Sequence, residues 1–254
     1  MELFYRKIGV GNPFIILHGL FGQSDNWNTL AKQFSEVGYE VYTVDLRNHG
    51  LSPHSDSWDY KTMSDDILEL ITSNHLQNVI LLGHSMGGKV AMQFAIEHQE
   101  YLAKLIVVDI APKYYAPHHQ SVLKALDAID FKTVKTRKEA TAILSTYIKE
   151  EGTKQFLLKN IYWKDNEELA WRFNLNVIRK EIEKVGEQTP TTSICYTPTC
   201  FIKGELSNYI LENDIRLIND IFPHNMIETI EGAGHWVHAE KPSAFFDCVI
   251  SFLK

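Results

Sequence analysis

The chain has 254 residues, of which 44% are hydrophobic, 11% aromatic and 22% charged, the usage of an ordinary globular protein. That composition excludes a disordered chain, a collagen-like chain and a coiled-coil rod. At about 150 residues per domain it leaves either one core with an insertion or a pair of domains. The 25 Lys and Arg against 32 Asp and Glu give a net charge of −7, which repels phosphate backbones and argues against nucleic acid as a partner.

At the amino end, Met1-Glu2-Leu3-Phe4-Tyr5-Arg6-Lys7 shows no charged leader before an apolar stretch, so no signal peptide is expected. The longest apolar runs fall far short of the ~20 residues that span a bilayer. Cys195, Cys200 and Cys248 are odd in number and lack CxxC spacing, which fits a reducing compartment. The expectation is a cytoplasmic protein with no membrane span.

Short apolar runs rich in β-branched residues predict strands at Phe14–Leu17, Val41–Val44, Val79–Leu82, Leu105–Val108, Thr199–Ile202 and Met226–Ile230. Helical spacing lies between them: Trp27, Leu30, Ala31 and Phe34; then Ile67, Leu68 and Ile71; then Val90, Ala91, Phe94 and Ala95 after Gly87. Strands alternating with helices predict an α/β fold, a doubly wound and mostly parallel sheet with right-handed crossovers.

The rhythm breaks once. Between Pro112 and Pro190 only helical stretches are expected, near Gln120–Ile129, Lys138–Lys149 and Phe173–Val185, and Thr189-Pro190-Thr191-Thr192 closes the region. Residues 1–111 and 191–254 therefore read as the core. Residues 112–190 read as a helical lid, or cap subdomain, inserted before the penultimate strand. The insertion holds 14 Lys and Arg against 11 Asp and Glu. This is either an ordinary solvated helix surface or a weak attraction for anionic substrates around Lys132, Lys135, Arg137 and Lys138.

The chemistry concentrates in three stretches. In Val79-Ile80-Leu81-Leu82-Gly83-His84-Ser85-Met86-Gly87-Gly88-Lys89 a buried strand runs into G-x-S-x-G and then into a helix. This context demands a sharp turn that lifts Ser85 above the sheet edge as a nucleophile, at a helix N-terminus that favours developing negative charge. In Phe14-Ile15-Ile16-Leu17-His18-Gly19-Leu20-Phe21-Gly22 a strand ends in His-Gly-x-x-Gly. An oxyanion needs two preorganised donors, expected from the backbone N–H groups of Met86 and Leu20, with Phe21 the alternative to Leu20.

In Gly232-Ala233-Gly234-His235-Trp236-Val237-His238 a glycine-flanked loop delivers His235 as general base, in the chain order of hydrolases that place serine first and histidine last. His238 competes but falls at a helix start. His18 and His84 are expected to support the site, and His49 sits in a turn. No histidine set has metal spacing such as H-E-x-x-H, so neither metal nor cofactor is expected.

The stretches HGLFG, DLRNHGLS, GHSMGGK, VVDIAP and GAGHWVHAEKP, spread over residues 18–242, resemble the α/β-hydrolase superfamily, and within it the YbfF/ABHD-type serine esterases. The resemblance implies an α/β-hydrolase fold and esterase or thioesterase activity on short- to medium-chain acyl esters, acyl-CoA among them, through an acyl-enzyme on Ser85. It also brings one departure. The usual acid position, three residues after the glycine ending the penultimate strand, holds Ser207 in Ile202-Lys203-Gly204-Glu205-Leu206-Ser207.

Serine cannot stabilise an imidazolium by charge. Asp109, at the end of the preceding strand, is the expected acid, with Glu205 as the alternative and Ser207 adding a hydrogen bond to His235. For substrate contacts the expectation is Phe21, Tyr114, Trp163 and Trp236. The wider set of insertion aromatics, Tyr114, Tyr115, Phe156, Tyr162, Trp163, Trp171 and Phe173, either lines an acyl pocket or forms the insertion's own core. The rival functions are a C–C bond hydrolase or lyase on the same residues, and a ligand receptor without turnover.

Overall fold

The computed structural model describes residues 1–117, 119–164, 168–191 and 193–254, so Thr192, the last residue of the expected closing segment, lies outside them. The chain opens with β1 (Tyr5–Ile8), β2 (Asn12–Leu17), α1 (Asn28–Glu36), β3 (Tyr39–Val44), α2 (Tyr60–Ser73), β4 (Val79–His84), α3 (Met86–His98) and β5 (Leu102–Val108). It continues through α4 (Gln120–Asp127), α5 (Arg137–Tyr147), α6 (Glu151–Leu158), β6 (Ile161–Lys164), β7 (Glu168–Trp171) and α7 (Leu175–Lys180). It closes with β8 (Thr199–Gly204), α8 (Ile215–Ile221), β9 (Asn225–Ile230), α9 (Val237–Glu240) and α10 (Pro242–Leu253).

Seven strands form one sheet in the order β1-β3-β2-β4-β5-β8-β9, with β1 antiparallel to β3 and the other pairs parallel. The inner strands are apolar on both faces because helices cover both. On one face Phe14, Ile16, Leu82 and Ile106 pack under Phe34 of α1 and Phe245 of α10. On the other, Ile15, Leu81, Leu105 and Val107 pack under Ile67 and Ile71 of α2 and Val90 and Phe94 of α3. The carboxyl ends of β2, β4, β5, β8 and β9 therefore share one edge, where ligands of parallel sheets bind.

The six expected strands form, and β1 is an addition. Its sequence Tyr5-Arg6-Lys7-Ile8 lies at the sheet edge and is largely exposed, so it carries no apolar run. The stretch between β5 and β8 is not purely helical. Among its described residues, β6 and β7 pair antiparallel, with Ile161 opposite Trp171 and Tyr162 opposite Ala170. Each strand is four residues long, too short for alternation to show. α5 starts where Thr136 and Glu139 form a reciprocal capping box. The start and end of the insertion are tied together: Tyr115 N–H donates to the Gly186 carbonyl (2.8 Å) and Thr189 N–H to that of Pro112 (2.9 Å).

Candidate active site

β4 ends at His84, Ser85 turns sharply at φ 54°, ψ −117°, and α3 begins at Met86. Ser85 N–H donates to the Val108 carbonyl at 3.0 Å, which fixes the turn to the neighbouring strand. The turn needs glycine behind it, since a β-carbon on Gly83 would lie 2.1 Å from the Gly87 carbonyl oxygen. Gly83→Ala is accordingly expected to cost at least about 3 kcal/mol of stability, read as a fall in the urea unfolding midpoint.

Asp109 stands one strand over, at the end of β5, and is fully buried. Its backbone is also left-handed, at φ 49°, and its N–H donates to Ile202 O at 2.8 Å. Strained backbone at two adjacent strand ends aims both side chains over the edge toward the loop after β9. That loop passes close above β8, because Gly204 presents no side chain to the Gly234 and Ala233 carbonyls. His235 arrives between the two. Its Nδ1–H donates to Asp109 Oδ2 at 2.7 Å, and its Nε2 lies 3.1 Å from Ser85 Oγ, positioned to accept the serine proton. The hydroxyl, imidazole and carboxylate form one relay.

Of the alternatives for the acid, Glu205 is exposed and turned away, with its Oε2 accepting the Gly232 N–H at 2.8 Å. Ser207 assists, though not by the expected bond to His235. Its hydroxyl donates to Asp109 Oδ2, while Gly204 N–H donates to Oδ1 at 3.1 Å. The carboxylate is thus held from both oxygens. His235 is also held flat by Tyr209, whose ring stacks on it at 3.9 Å and 18°. Tyr115 supports that ring in turn: its hydroxyl accepts the Ala111 N–H at 2.8 Å and donates to Tyr209 O at 2.5 Å. Neither tyrosine has a local sequence signal for these roles, since both act across long chain separations.

Of the residues whose amides are expected to hold an oxyanion, Leu20 lines the same cavity as Ser85, and Met86 follows Ser85 in sequence. Met86 is the first residue of α3, where N–H groups have no intrahelical acceptor. Among the described residues no acceptor is found for the Leu20 N–H. The alternative donor, Phe21, is corrected: its N–H already donates to His49 Nε2 at 3.3 Å. His18 braces the same loop, accepting Leu46 N–H on Nε2 at 3.0 Å and donating from Nδ1 to Gly19 O at 2.8 Å. Burial pulls His18 down to about 4 and His49 down to about 3, so both are neutral props. His84 donates to the His235 carbonyl at 2.9 Å and fixes its loop. His238 is buried against Trp27, stacked at 4.1 Å, and takes no part in the relay.

A family model described as "alpha/beta hydrolase fold" matches residues 12–143. The chain belongs to the α/β-hydrolase family. It is 38% identical over 246 residues to the sn-1-specific diacylglycerol lipase ABHD11 of Mus musculus, covering 94% of this chain and 80% of that protein. It is 35% identical over 245 residues to Esterase YbfF of Escherichia coli, covering 95% and 93% respectively. The solved structure of a marine microorganism esterase superposes with a TM-score of 0.95 at 44% identity, covering 99% of each chain.

In this α/β-hydrolase the relay opens into a cavity of about 190 Å³. Phe21 and Trp236 line it, with Trp27, Val122, Phe156 and Leu157. Tyr114 and Trp163 do not: both are solvent-exposed, Tyr114 in the loop after β5 and Trp163 on the outer face of the β6–β7 hairpin. Trp171 and Phe173 stack on each other at 5.1 Å within the insertion's own packing, and Phe173 reaches Phe21 at 4.9 Å. A smaller cleft of about 20 Å³ meets the cavity at Ser85 and is lined by Met86, Ile110, Tyr115 and Val185. Lys132, Lys135, Arg137 and Lys138 are exposed and line neither space.

Lys89, in the GHSMGGK stretch, is a further residue that sequence reasoning left without a role. It is buried one helical turn after Ser85, and its Nζ donates to the carbonyls of Lys113 (2.5 Å) and Glu187 (2.9 Å). Those carbonyls lie at the start and end of the insertion, so one ammonium clasps its neck to α3. Burial pulls its pKa down to about 7, and the nearby Lys113 ammonium, itself paired with Asp214 at 2.5 Å, adds to the effect. Among the described residues no helix is long and apolar enough to cross a membrane.

Proposed function

We propose that this hydrolase cleaves uncharged esters of short- to medium-chain acids through an acyl-enzyme on Ser85. The observation that carries the reading is the Ser85–His235–Asp109 relay opening on an apolar cavity. The enzyme class is hydrolase of ester bonds, as the names of its relatives indicate. Ser85 Oγ attacks the carbonyl carbon while His235 Nε2 takes its proton. The oxyanion sits between the Leu20 and Met86 N–H groups, each such donor being worth about 3 kcal/mol in the transition state. Asp109 keeps the imidazole in the Nδ1–H tautomer and stabilises the imidazolium. The alcohol leaves with the proton from His235, and water, deprotonated by the same nitrogen, releases the acid and frees Ser85. In this reading residues 112–190 act as a lid, because α4 and α6 supply Val122, Phe156 and Leu157 to the cavity wall.

The same chemistry serves thioesters, but the charges around the site give acyl-CoA no advantage. The described residues at the outer opening include Lys159 against Glu150 and Glu240. Wild-type protein is expected to hydrolyse p-nitrophenyl butyrate and to be labelled by a fluorophosphonate on Ser85, and Ser85→Ala to do neither. It should also show no preference for butyryl-CoA over an uncharged butyryl thioester. Turnover surviving in Ser85→Ala removes the nucleophile. Tight ligand binding with neither labelling nor turnover turns the reading to a receptor.

A further inference from the structure

Beyond the cavity at Ser85 lies a second, larger space of about 560 Å³. The two are lined in common by Asn26, Thr153, Phe156, Trp236 and His238, so these five residues form the wall between them. Within that wall the Phe156 ring stands edge-on to Trp236, with centroids 4.2 Å apart at 75°. The inner space is apolar, whereas the outer one carries Glu150, Lys159 and Glu240. The Phe156–Trp236 pair thus stands as an aromatic neck between a mostly apolar chamber beside the nucleophile and a vestibule that carries charged side chains.

The neck is built firmly. α6 is pinned to the loop that carries Leu20, because Asn160 Nδ2 donates to the Phe21 carbonyl at 2.8 Å and to that of Phe156 at 3.3 Å. On the other side Trp236 follows His235, and its N–H donates to Glu240 Oε1 at 3.1 Å. Trp236 therefore cannot be altered without disturbing the base. Phe156 makes its ring contact with Trp236 and is far from the relay in sequence.

We propose that Phe156 is the specificity-determining residue for substrate length, closing the neck against the longer arm of the ester. This rests on the serine-esterase reading and deepens it. The cleft on the other side of Ser85 is about 20 Å³ against about 190 Å³ for the chamber, so the longer arm runs toward the neck. At about 30 Å³ for a water-sized group, the inner 190 Å³ houses about six carbons. Each methylene moved into apolar space is worth up to about fourfold in kcat/KM, and this gain stops where the arm meets Phe156.

The test compares wild type, Phe156→Ala and Phe156→Trp on two homologous series. One holds methyl esters of acids from acetate to dodecanoate, the other acetate esters of alcohols from methanol to decanol. Phe156→Ala joins chamber and vestibule, and its kcat/KM for the ten-carbon member relative to the four-carbon member of the responsive series is expected to rise about tenfold or more. Phe156→Trp shortens the profile. Circular dichroism reports folding of each variant, and the readout is the ratio between long and short members within one protein, which a uniform loss of activity does not move. A shift in the acyl series assigns the acyl arm to the neck, and a shift in the alcohol series assigns the alcohol arm. Chain-length profiles that stay the same in both series for both variants overturn the inference. Failure of the underlying reading looks different: wild type then hydrolyses no ester, or Ser85→Ala hydrolyses them all.

Discussion

Asp109→Asn is expected to lower kcat by about 10⁴-fold, and Glu205→Gln to leave it essentially unchanged. The difference lies in the tautomer. Asp109 Oδ2 accepts from His235 Nδ1 at 2.7 Å, which leaves Nε2 with a lone pair facing Ser85 Oγ. Asp109 Oδ1 accepts from the Gly204 N–H and Oδ2 from the Ser207 hydroxyl, so one amide group cannot satisfy all three donors. The oxygen of an asparagine is kept by the fixed Gly204 amide, and its NH2 then faces His235 Nδ1. The imidazole responds by moving its proton to Nε2, where it can no longer take one from serine. Ser85→Ala removes the nucleophile itself and sets the floor, a loss on the order of 10⁶-fold when members of such a unit are deleted. KM changes little in Asp109→Asn and Glu205→Gln, because neither residue lines the cavity. The measurement is steady-state turnover of p-nitrophenyl butyrate, with folded protein confirmed by circular dichroism. Equal losses for Asp109→Asn and Glu205→Gln would displace Asp109 from the relay.

How far these roles were legible in sequence depended on how local each one is. Gly83, Ser85 and Gly87 sit within five positions, and the sharp turn they require dictates their spacing, so the strand-turn-helix placement of Ser85 was readable. Asp109 ends the run Val107-Val108, and a carboxylate at the end of an otherwise apolar parallel strand has nowhere to go but the sheet edge. Ser207 was readable as an anomaly only. That its hydroxyl reaches Asp109 and not His235 depends on where β8 ends relative to β5. The choice between Leu20 and Phe21 turned on His49, 28 residues away, consuming one of the two amides. Tyr115, Tyr209 and Lys89 were unreadable for the same reason. Their partners are backbone carbonyls and rings brought close by the fold, and backbone carbonyls have no sequence signature. In the insertion, Thr153, Phe156 and Leu157 do follow helical spacing. Gly152 at the start and the brevity of α6 masked a pattern that places Phe156 at the neck.

Lowering the pH from 7.5 to 5 is expected to remove about 6 kcal/mol of stability through three histidines alone. His18, His49 and His238 are buried, and burial pulls them down to about 4, 3 and 3. In the unfolded chain each titrates near 6.5. Between these values the unfolded state binds more protons than the folded state, so stability is fully present above about 6.5 and falls as the pH drops. At pH 5 each group contributes a loss of about 2 kcal/mol. His84, also lowered by burial and by its histidine neighbours, adds in the same direction. Lys89 does not offset this. Below about 7 it is protonated in both states, and its depressed pKa raises stability only as the pH climbs from 7 toward 10.5. Since a domain has only about 5–15 kcal/mol in total, mild acid brings this enzyme near unfolding. Urea unfolding midpoints at pH 7.5, 6 and 5 measure the effect. His238→Phe isolates one contribution, because the ring stacks on Trp27 and its Nδ1 has no hydrogen-bond partner among the described residues. That variant should keep its stability at pH 7.5 and regain about 2 kcal/mol relative to wild type at pH 5. A midpoint that stays flat across this range in wild type would mean that the buried imidazoles accept protons without unfolding.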